Sequence, residues 1–453
     1  MTMTNTAPAE RENPIISGPI WRQLLFFFFP ILFGSFFQQM YNTVDAIIVG
    51  QFVGKAALAA VGGATSVLIS ILVNLFMGIS SGATVIIAQQ YGARRYDDVS
   101  KSVHTSMALT VIAGLAIMII GYCLTETALL MMGTPDDILA YATTYMKIYF
   151  LGSVPSFVYN IGSGILRAVG DNKRPLYFLI AACLSNIVLD VVFVLGMHLE
   201  VLGVALATVL SQVLAAILVL ISLIRCKEAH RLEVKKIRIH GEHLKKILRV
   251  GIPSGMQSNM YAISNIFLQA CVNSFGTNTV AAWTAFGKVD SFHWMVVGAF
   301  GISITTFVGQ NYGAGRYDRV RASVRTCLGM TFATCAGIGL VFCLFSSQLL
   351  SLFTTDPDVL AIGIRITYMM APFYVCYVCI EILSGVIRGC GNSLVPMLLT
   401  CVGVCVLRVA WALILVPMFK NFDWVVISYP TSWTITSLMF IFYYRKVNWM
   451  KIR

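Results

Sequence analysis

The chain has 453 residues, 58% hydrophobic and only 11% charged, where soluble domains carry about 25% charged residues. A water-soluble core of this length could not hide that much apolar surface, which excludes an ordinary soluble enzyme and points to helices crossing a bilayer. The net charge of +12 suggests nucleic acid only until its distribution along the chain is read.

Residues 1–23 form a polar segment ahead of an apolar run too long for a signal-peptide core, so they read as a cytoplasmic tail and the first helix as a retained anchor. Twelve spans follow, near 24–50, 57–88, 102–124, 138–165, 175–197, 201–224, 247–272, 279–308, 324–347, 360–387, 395–417 and 424–444. The expected fold class is an all-α membrane protein with twelve transmembrane helices in two pseudo-symmetric six-helix bundles. Residues 24–224 form the N-lobe, 225–246 a cytoplasmic inter-lobe linker and 247–453 the C-lobe. With the N-terminus inside, 26 of the 32 Lys and Arg fall in or beside inside segments, whereas the outside loops hold Lys55 and Lys420. That split follows the positive-inside rule, puts both termini in the cytoplasm, and explains the basic excess without nucleic acid. The stretch from Arg225 to Arg249 is the longest polar connection, with nine basic and three acidic residues. It reads as a solvated tether, with a lipid-surface role as the alternative.

Two motifs repeat at one offset. AQQYGARRYDDV (88–99) returns as GQNYGAGRYDRV (309–320), eight positions of twelve identical and 221 residues apart. SGILRAVGDNKRP (163–175) returns at the same spacing as SGVIRGCGNSLVP (384–396). About half the chain is therefore duplicated. Six spans per half make the copies parallel, related by an axis along the membrane normal, with a working cavity expected between them. Both copies of the first motif fall on the cytoplasmic side. Gly92 and Gly313 suit a tight helix exit, and Arg95 and Arg316 can meet headgroup phosphates or acidic neighbours.

Ionisable residues inside spans cost about 2.5–3.5 kcal/mol on insertion, so each is a functional candidate. Asp45 in span 1 and Asp190 in span 5 both lie about seven residues before the outer boundary, roughly 10 Å deep at 1.5 Å per residue. Asn186 shares the face of Asp190 one turn away, and Thr208 in span 6 lies at the same depth. Two carboxylates, an amide and a hydroxyl are hard oxygen donors for a small cation such as Na+, or a pair that shares a proton. A hydrogen-bonded structural cluster is the alternative. Aligning the halves puts Asn265 opposite Asp45 and Trp411 opposite Asp190, so the second lobe lacks the pair. There Lys288, Asp290 and His293 (span 8), Glu381 (span 10) and Arg408 (span 11) form a second group, expected mainly as internal ion pairs, with Glu381 the best candidate for a second ion or substrate site. Pro30 should kink span 1, and Tyr41 precedes Asp45 by one turn. The twelve cysteines, including the Cys376–Cys379 CxxC, lie almost wholly in apolar spans and read as packing residues.

These residues resemble the MATE (multidrug and toxic compound extrusion) family, in its DinF-like branch. The likeness covers nearly the whole chain through its twelve spans and the paired R-Y-D and S-G-x-x-R-x-x-G elements. Position by position, Pro30, Tyr41 and Asp45, Asn186 and Asp190 in NIVLD, and Thr208 in GVALAT match that family's N-lobe ion site and bending helix. The resemblance implies outward antiport of organic, often cationic compounds against H+ or Na+, from a V-shaped pair of bundles, with Pro30, Tyr41 and Asn160 at the cavity and its gate. One departure is that span 7 carries no acid, unlike the family's Na+-driven branch, although span 10 has Glu381. The expected partners are small organic substrates and membrane lipids, with no cofactor beyond the coupling ion, in a monomer of the cell membrane. A flippase for a lipid-linked or amphipathic precursor is the competing reading, and it needs more cavity cations than Lys288 and Arg408. A membrane enzyme is disfavoured by the short outer loops, and ATP-driven transport by the absence of G-x-x-x-x-G-K-[ST].

Overall fold

The computed structural model describes residues 13–447, which are almost wholly helical, with no strand among them. Twelve rods run in chain order. The first bundle holds α1 (Ile20–Ile48, extended through Val49–Val53), α2 (Lys55–Gly62 and Ala64–Gly92), α3 (Tyr96–Met131), α4 (Asp136–Leu151 and Ser153–Val169), α5 (Lys173–Asp190, extended through Val191–Gly196) and α6 (Glu200–Arg225). The second holds α7 (Gly241–Asn273), α8 (Thr277–Gly313), α9 (Tyr317–Leu344), α10 (Pro357–Met370 and Tyr374–Gly389), α11 (Leu394–Thr400 through Leu407–Phe419) and α12 (Asp423–Lys446). Ten of these rods are long and apolar enough to cross a bilayer. The other two have physical reasons to fall short of that description. The α4 rod is split at Gly152, and α7, beyond its charged start, carries Gln257, Asn259, Asn265, Gln269 and Asn273 along the stretch that would cross. The arrangement is the expected all-α one, two bundles of six.

The bundles meet toward the face that carries the linker, called the linker face below. There Gly78 and Gly82 of α2 lie directly against Gly251 and Gly255 of α7. Each pair is spaced G-x-x-x-G, the pattern that lets two helix backbones touch. A Cβ at Gly255 would stand 2.7 Å from the Leu75 carbonyl oxygen, and one at Gly82 would stand 2.7 Å from the Gly251 nitrogen. The contact climbs as far as the Asn259 amide, which donates to the Ile71 carbonyl at 3.0 Å. Beyond that level, the described residues make no hydrogen bond between the bundles. The distal halves pack in separate cores, one around Ile48, Tyr145, Val194 and Val204, the other around Leu268, Val272, Ala412 and Val425.

The first helix of each bundle crosses into its partner. Leu24, Phe27 and Phe28 of α1 belong to the second bundle's core, where the Phe28 ring stacks on Phe300 at 4.1 Å. Ile247 and Val250 of α7 belong to the first bundle's core. The lobes are thus exchanged at their linker-face ends, which the division at residue 247 does not convey.

At the linker face the structure adds detail to one expectation and corrects another. Residues 13–23 are not a free tail. Pro14–Ser17 forms a helical turn whose Ile15 is buried in the second bundle, and Arg319 donates to the Ile15 and Gly18 carbonyls at 3.2 and 2.6 Å. Residues 1–12 lie outside the described residues. Nor do Gly92 and Gly313 form the tight turn. The left-handed positions lie two residues on, at Arg94 (φ 57°) and Gly315 (φ 71°). Gly92 abuts the Gln310 carbonyl and Gly313 the Gln89 carbonyl, so these glycines let α2 and α8 cross.

Candidate ion-coupling site in the first bundle

Asp45 lies near the distal end of α1 and Asp190 at the last α-helical position of α5, and both are buried. Their carboxyls face each other within interaction range. Each stands where its helix loosens from α to π hydrogen bonding. The Gly54 N–H reaches back five residues to Val49 at 3.0 Å, and the Met197 N–H reaches back to Val192 at 2.9 Å. Such widened turns recur at functional sites because they free backbone groups and re-aim side chains.

Asn186, fully buried, lies one turn below Asp190. Five polar atoms here have no hydrogen-bond partner among the described residues: Asp45 Oδ1, both Asp190 oxygens, and Asn186 Oδ1 and Nδ2. Two facing carboxylates have no proton to give each other, so their proximity leaves them unsatisfied unless a proton or cation joins them. Buried polar groups are almost always paired. Five orphans in one spot mark a place built to receive something.

Aromatic hydroxyls surround it. The Tyr41 hydroxyl stands near Thr208 and Asp45, while Tyr145 of α4 stands near both acids. Thr208 Oγ1 also donates to the Val204 carbonyl at 3.0 Å, leaving a lone pair free. Of the expected first-lobe group, Asp45, Asn186, Asp190, Thr208 and Tyr41 come together. Asn160 does not join them through any hydrogen bond. Its amide donates to the Ser156 carbonyl of its own helix at 2.9 Å, and its carbonyl accepts from Ser80 Oγ at 3.1 Å. Tyr145 was not singled out from the sequence, because a tyrosine in an apolar span carries no signal of what it faces.

Pro30 lies inside a continuous α1. Below it, Leu24, Phe27 and Phe28 pack on the second bundle. Above it, Gly34 meets Leu176 and Leu179 of α5, and the Cys183 thiol contacts the Phe37 carbonyl. The proline therefore sits where α1 changes allegiance between bundles.

In the second bundle, the expected ion pairs are not made. Asp290 accepts from the Trp294 indole at 2.7 Å and from the Tyr374 hydroxyl at 2.5 Å. Arg408 donates to Ser432 Oγ at 3.2 and 3.0 Å, with its guanidinium 4.1 Å from the Tyr429 ring centroid. Lys288 is exposed, with no carboxylate within 4 Å among the described residues. Neutral aromatic donors and a π face do the work assigned to opposite charges. His293 stacks on Tyr374 at 3.8 Å. Glu381 packs against Gly301 and interacts with Tyr377 and Arg388. Arg388 was missed as a partner, although its place in the repeated S-G-x-x-R element was the available signal. Its Nη2 donates to Gln257 Oε1 at 3.1 Å and to Ser384 Oγ at 3.3 Å. At the positions aligned with the first-lobe acids, Asn265 is exposed and Trp411 donates to the Trp424 carbonyl at 2.8 Å. All twelve cysteines are free thiols.

The sequence matches the family model described as MatE over residues 30–192 and 253–414, one match per bundle. It is similar to the probable multidrug resistance protein YoeA of Bacillus subtilis (strain 168), 30% identical over 442 residues, with 95% of each chain covered. It is also similar to the probable multidrug resistance protein YpnP of the same organism, 28% identical over 393 residues, covering 86% of this chain and 87% of that one. A solved structure described as the outward-facing conformation of a multidrug resistance MATE family transporter shares the fold, with a TM-score of 0.90 at 24% identity. It covers 96% of this chain and 97% of that one.

Proposed function

Because the chain belongs to the MatE family of multidrug efflux proteins, multi-pass membrane transporters and not enzymes, we propose that it is an ion-coupled secondary exporter. It carries organic, often cationic compounds outward against entry of H+ or Na+. The observation that supports this reading is the buried Asp45–Asp190–Asn186 cluster with its five unpartnered polar atoms. Carboxylate, amide and hydroxyl oxygens suit either a small hard cation or a shared proton, so the same residues serve both.

The mechanism follows from where the cluster lies. A cation or proton between Asp45 and Asp190 relieves their repulsion and ties the distal half of α1 to α5. Its release sets the two acids against each other and loosens that tie. Since α1 is anchored below Pro30 in the other bundle, a change at Asp45 is a change in how the bundles are joined. An ion can shift the equilibrium between openings only by its difference in affinity for the two forms, and this coupling supplies such a difference. The lysine and arginine excess supports a cytoplasmic linker face and cytoplasmic termini in a cell-membrane protein. The separate distal cores then face outward. Substrate meets a cleft between the bundles, and the protein works as a monomer without a cofactor. Lys288 and Arg408 do not form the basic cavity a flippase needs, because one is exposed and the other is bound to Ser432 and Tyr429.

The test is reconstitution in liposomes with pH and sodium gradients imposed independently, following release of a fluorescent organic cation. Asp45→Asn and Asp190→Asn should each abolish gradient-driven transport while the protein stays folded and inserted. Retained ion-driven transport in both variants would overturn the proposal.

A further inference from the structure

On the linker face, a cleft of about 1730 Å³ opens between the bundles, away from the cluster just described. Its first-bundle wall includes Gln89, Gln90, Arg95 and Asp98, and its second-bundle wall includes Lys245, Lys246 and Arg249 at the start of α7. Four cations thus surround one carboxylate. Some basic residues elsewhere on this face do have acidic neighbours, such as Arg316 with Asp318, Arg174 with Asp171 and Lys236 with Glu233. Among the described residues, none of the four cleft cations has a carboxylate within 4 Å. Ser393 also lines the cleft, its own hydroxyl buried and without a hydrogen-bond partner behind the wall. Gly241, in the first turn of the 33-residue α7, presents the positive end of that helix to the same space.

We propose that this cleft binds a phosphate group, the headgroup of an anionic phospholipid or a free phosphate, and that its occupancy holds the linker face closed. Lys245 and Arg249 lie one turn apart on α7, while Arg95 faces them from the other bundle, so an anion between them joins the two lobes. Unpaired cations beside a helix N-terminus form the chemistry that recognises phosphate oxygens. Beside the cations, Leu248, Ile252 and Pro253 continue along α7 as an apolar wall of the same cleft. A bare phosphate has no use for that wall, and the glycerol and upper acyl carbons of a lipid do. The volume also exceeds the roughly 300–1,000 Å³ typical of small-molecule pockets. Lipid is therefore the favoured source. The reciprocal effect follows by linkage: if the anion favours the closed face, closing the face tightens the anion. The G-x-x-x-G seam lies between this cleft and the distal cores, so an anion held here acts as a clamp on the linker face.

The experiment uses the full-length protein in detergent, with native mass spectrometry counting bound phosphatidylglycerol against phosphatidylcholine, and inorganic phosphate as competitor. Each Lys or Arg at an anionic surface contributes about a fivefold preference, so Lys245→Gln with Arg249→Gln should cut the preference for phosphatidylglycerol about 25-fold. Lys420→Gln at the distal face should leave it intact. Should the double variant misfold, Lys246→Gln, expected to lose about fivefold, and competition on the wild-type chain carry the same test. Displacement of the lipid by inorganic phosphate at matched concentration supports the phosphate site and assigns it to the soluble anion. Equal retention of the two lipids by the wild-type protein, with no phosphate binding, overturns the proposal. So does an undiminished preference in a folded double variant.

Discussion

Replacing Gly255 by alanine tests whether the linker-face seam closes by backbone contact. The new Cβ would stand 2.7 Å from the Leu75 carbonyl oxygen, 2.8 Å from its Cα and 3.1 Å from its carbonyl carbon. Carbon atoms prefer about 3.5–4.0 Å, so α2 and α7 must part by close to 1 Å. All three obstacles are backbone, and no rotamer can relieve them. Overpacking of this kind costs about 1–3 kcal/mol, charged only to the form in which the seam is closed. The ratio of closed to open linker face should then fall about 5- to 150-fold. Alanine is also the better helix former by about 1 kcal/mol, in both forms, so a loss of closure cannot come from a weakened helix. Spin labels at the exposed Tyr96 and Tyr317, in a chain freed of native cysteines, report the separation of the bundles at this face. The distance distribution should move to longer values in Gly255→Ala and stay put in Gly329→Ala, where an added Cβ meets nothing within 4 Å. An unchanged distribution and melting temperature in Gly255→Ala would refute the reasoning.

Tyr41→Phe removes a hydroxyl that stands beside Asp45 and Thr208 and leaves the Thr208 bond to Val204 in place. With the hydroxyl donating to the ion-loaded site at about 0.5–1.5 kcal/mol, coupling-ion affinity, read from the half-saturating ion concentration for transport, should weaken about 2- to 10-fold, and an unchanged value would remove Tyr41 from the site. Arg319→Ala deletes the donors to the Ile15 and Gly18 carbonyls and to Asn311 Oδ1. Charged hydrogen bonds contribute about 1.5–3 kcal/mol, so amide exchange at Ile16–Gly18 should quicken at least about tenfold; unaltered protection would mean the segment docks through Ile15 alone. In the linker, burial holds the His230 imidazole below its ordinary value, with Arg174 pushing the same way and Glu228 and Asp171 opposing. A depressed folded value means the undocked linker binds the proton more readily, so docking is undiminished above about pH 6.5 and weakens as pH falls below it. Exchange of the Leu232 amide, bonded to the Leu223 carbonyl at 3.1 Å, should rise on acidification and lose that dependence in His230→Gln; a flat wild-type profile would contradict the sign.

The duplication was legible because identical side chains recur at one offset, and the twelve rods because apolar length is hard to disguise. Asp45, Asn186, Asp190 and Thr208 were legible for an energetic reason: polar groups at that depth are costly without a use. What stayed hidden were choices of partner. Leu24, Phe27 and Phe28 look the same in sequence whether they face lipid, their own bundle or the other one, so the exchange of α1 and α7 left no trace. The G-x-x-x-G pairs of α2 and α7 were present as letters, but nothing in the letters says which two helices they join. In the second bundle, charges were paired on paper with other charges. Asp290 and Arg408 instead took Trp294, Tyr374, Ser432 and Tyr429, donors and faces that carry no formal charge to be counted.

That difference between the bundles bears on how the molecule works. Duplication supplied a symmetric scaffold, and the crossing of α2 with α8 still shows it, since Gly92 meets Gln310 just as Gly313 meets Gln89. A purely structural need at the depth of Asp45 and Asp190 would have arisen in both copies. Yet the second copy has an exposed asparagine at one aligned position and a tryptophan bonded to a neighbouring carbonyl at the other. Neither widened turn recurs at its aligned position, which is ordinary α-helix in both α7 and α11; α11 loosens instead at Cys401–Val406, more than two turns earlier along the helix. The acid pair and the widened turns beside it therefore belong together to one lobe only. An ion held there acts on a single bundle. Its effect reaches the other through α1, the helix whose two ends the bundles share.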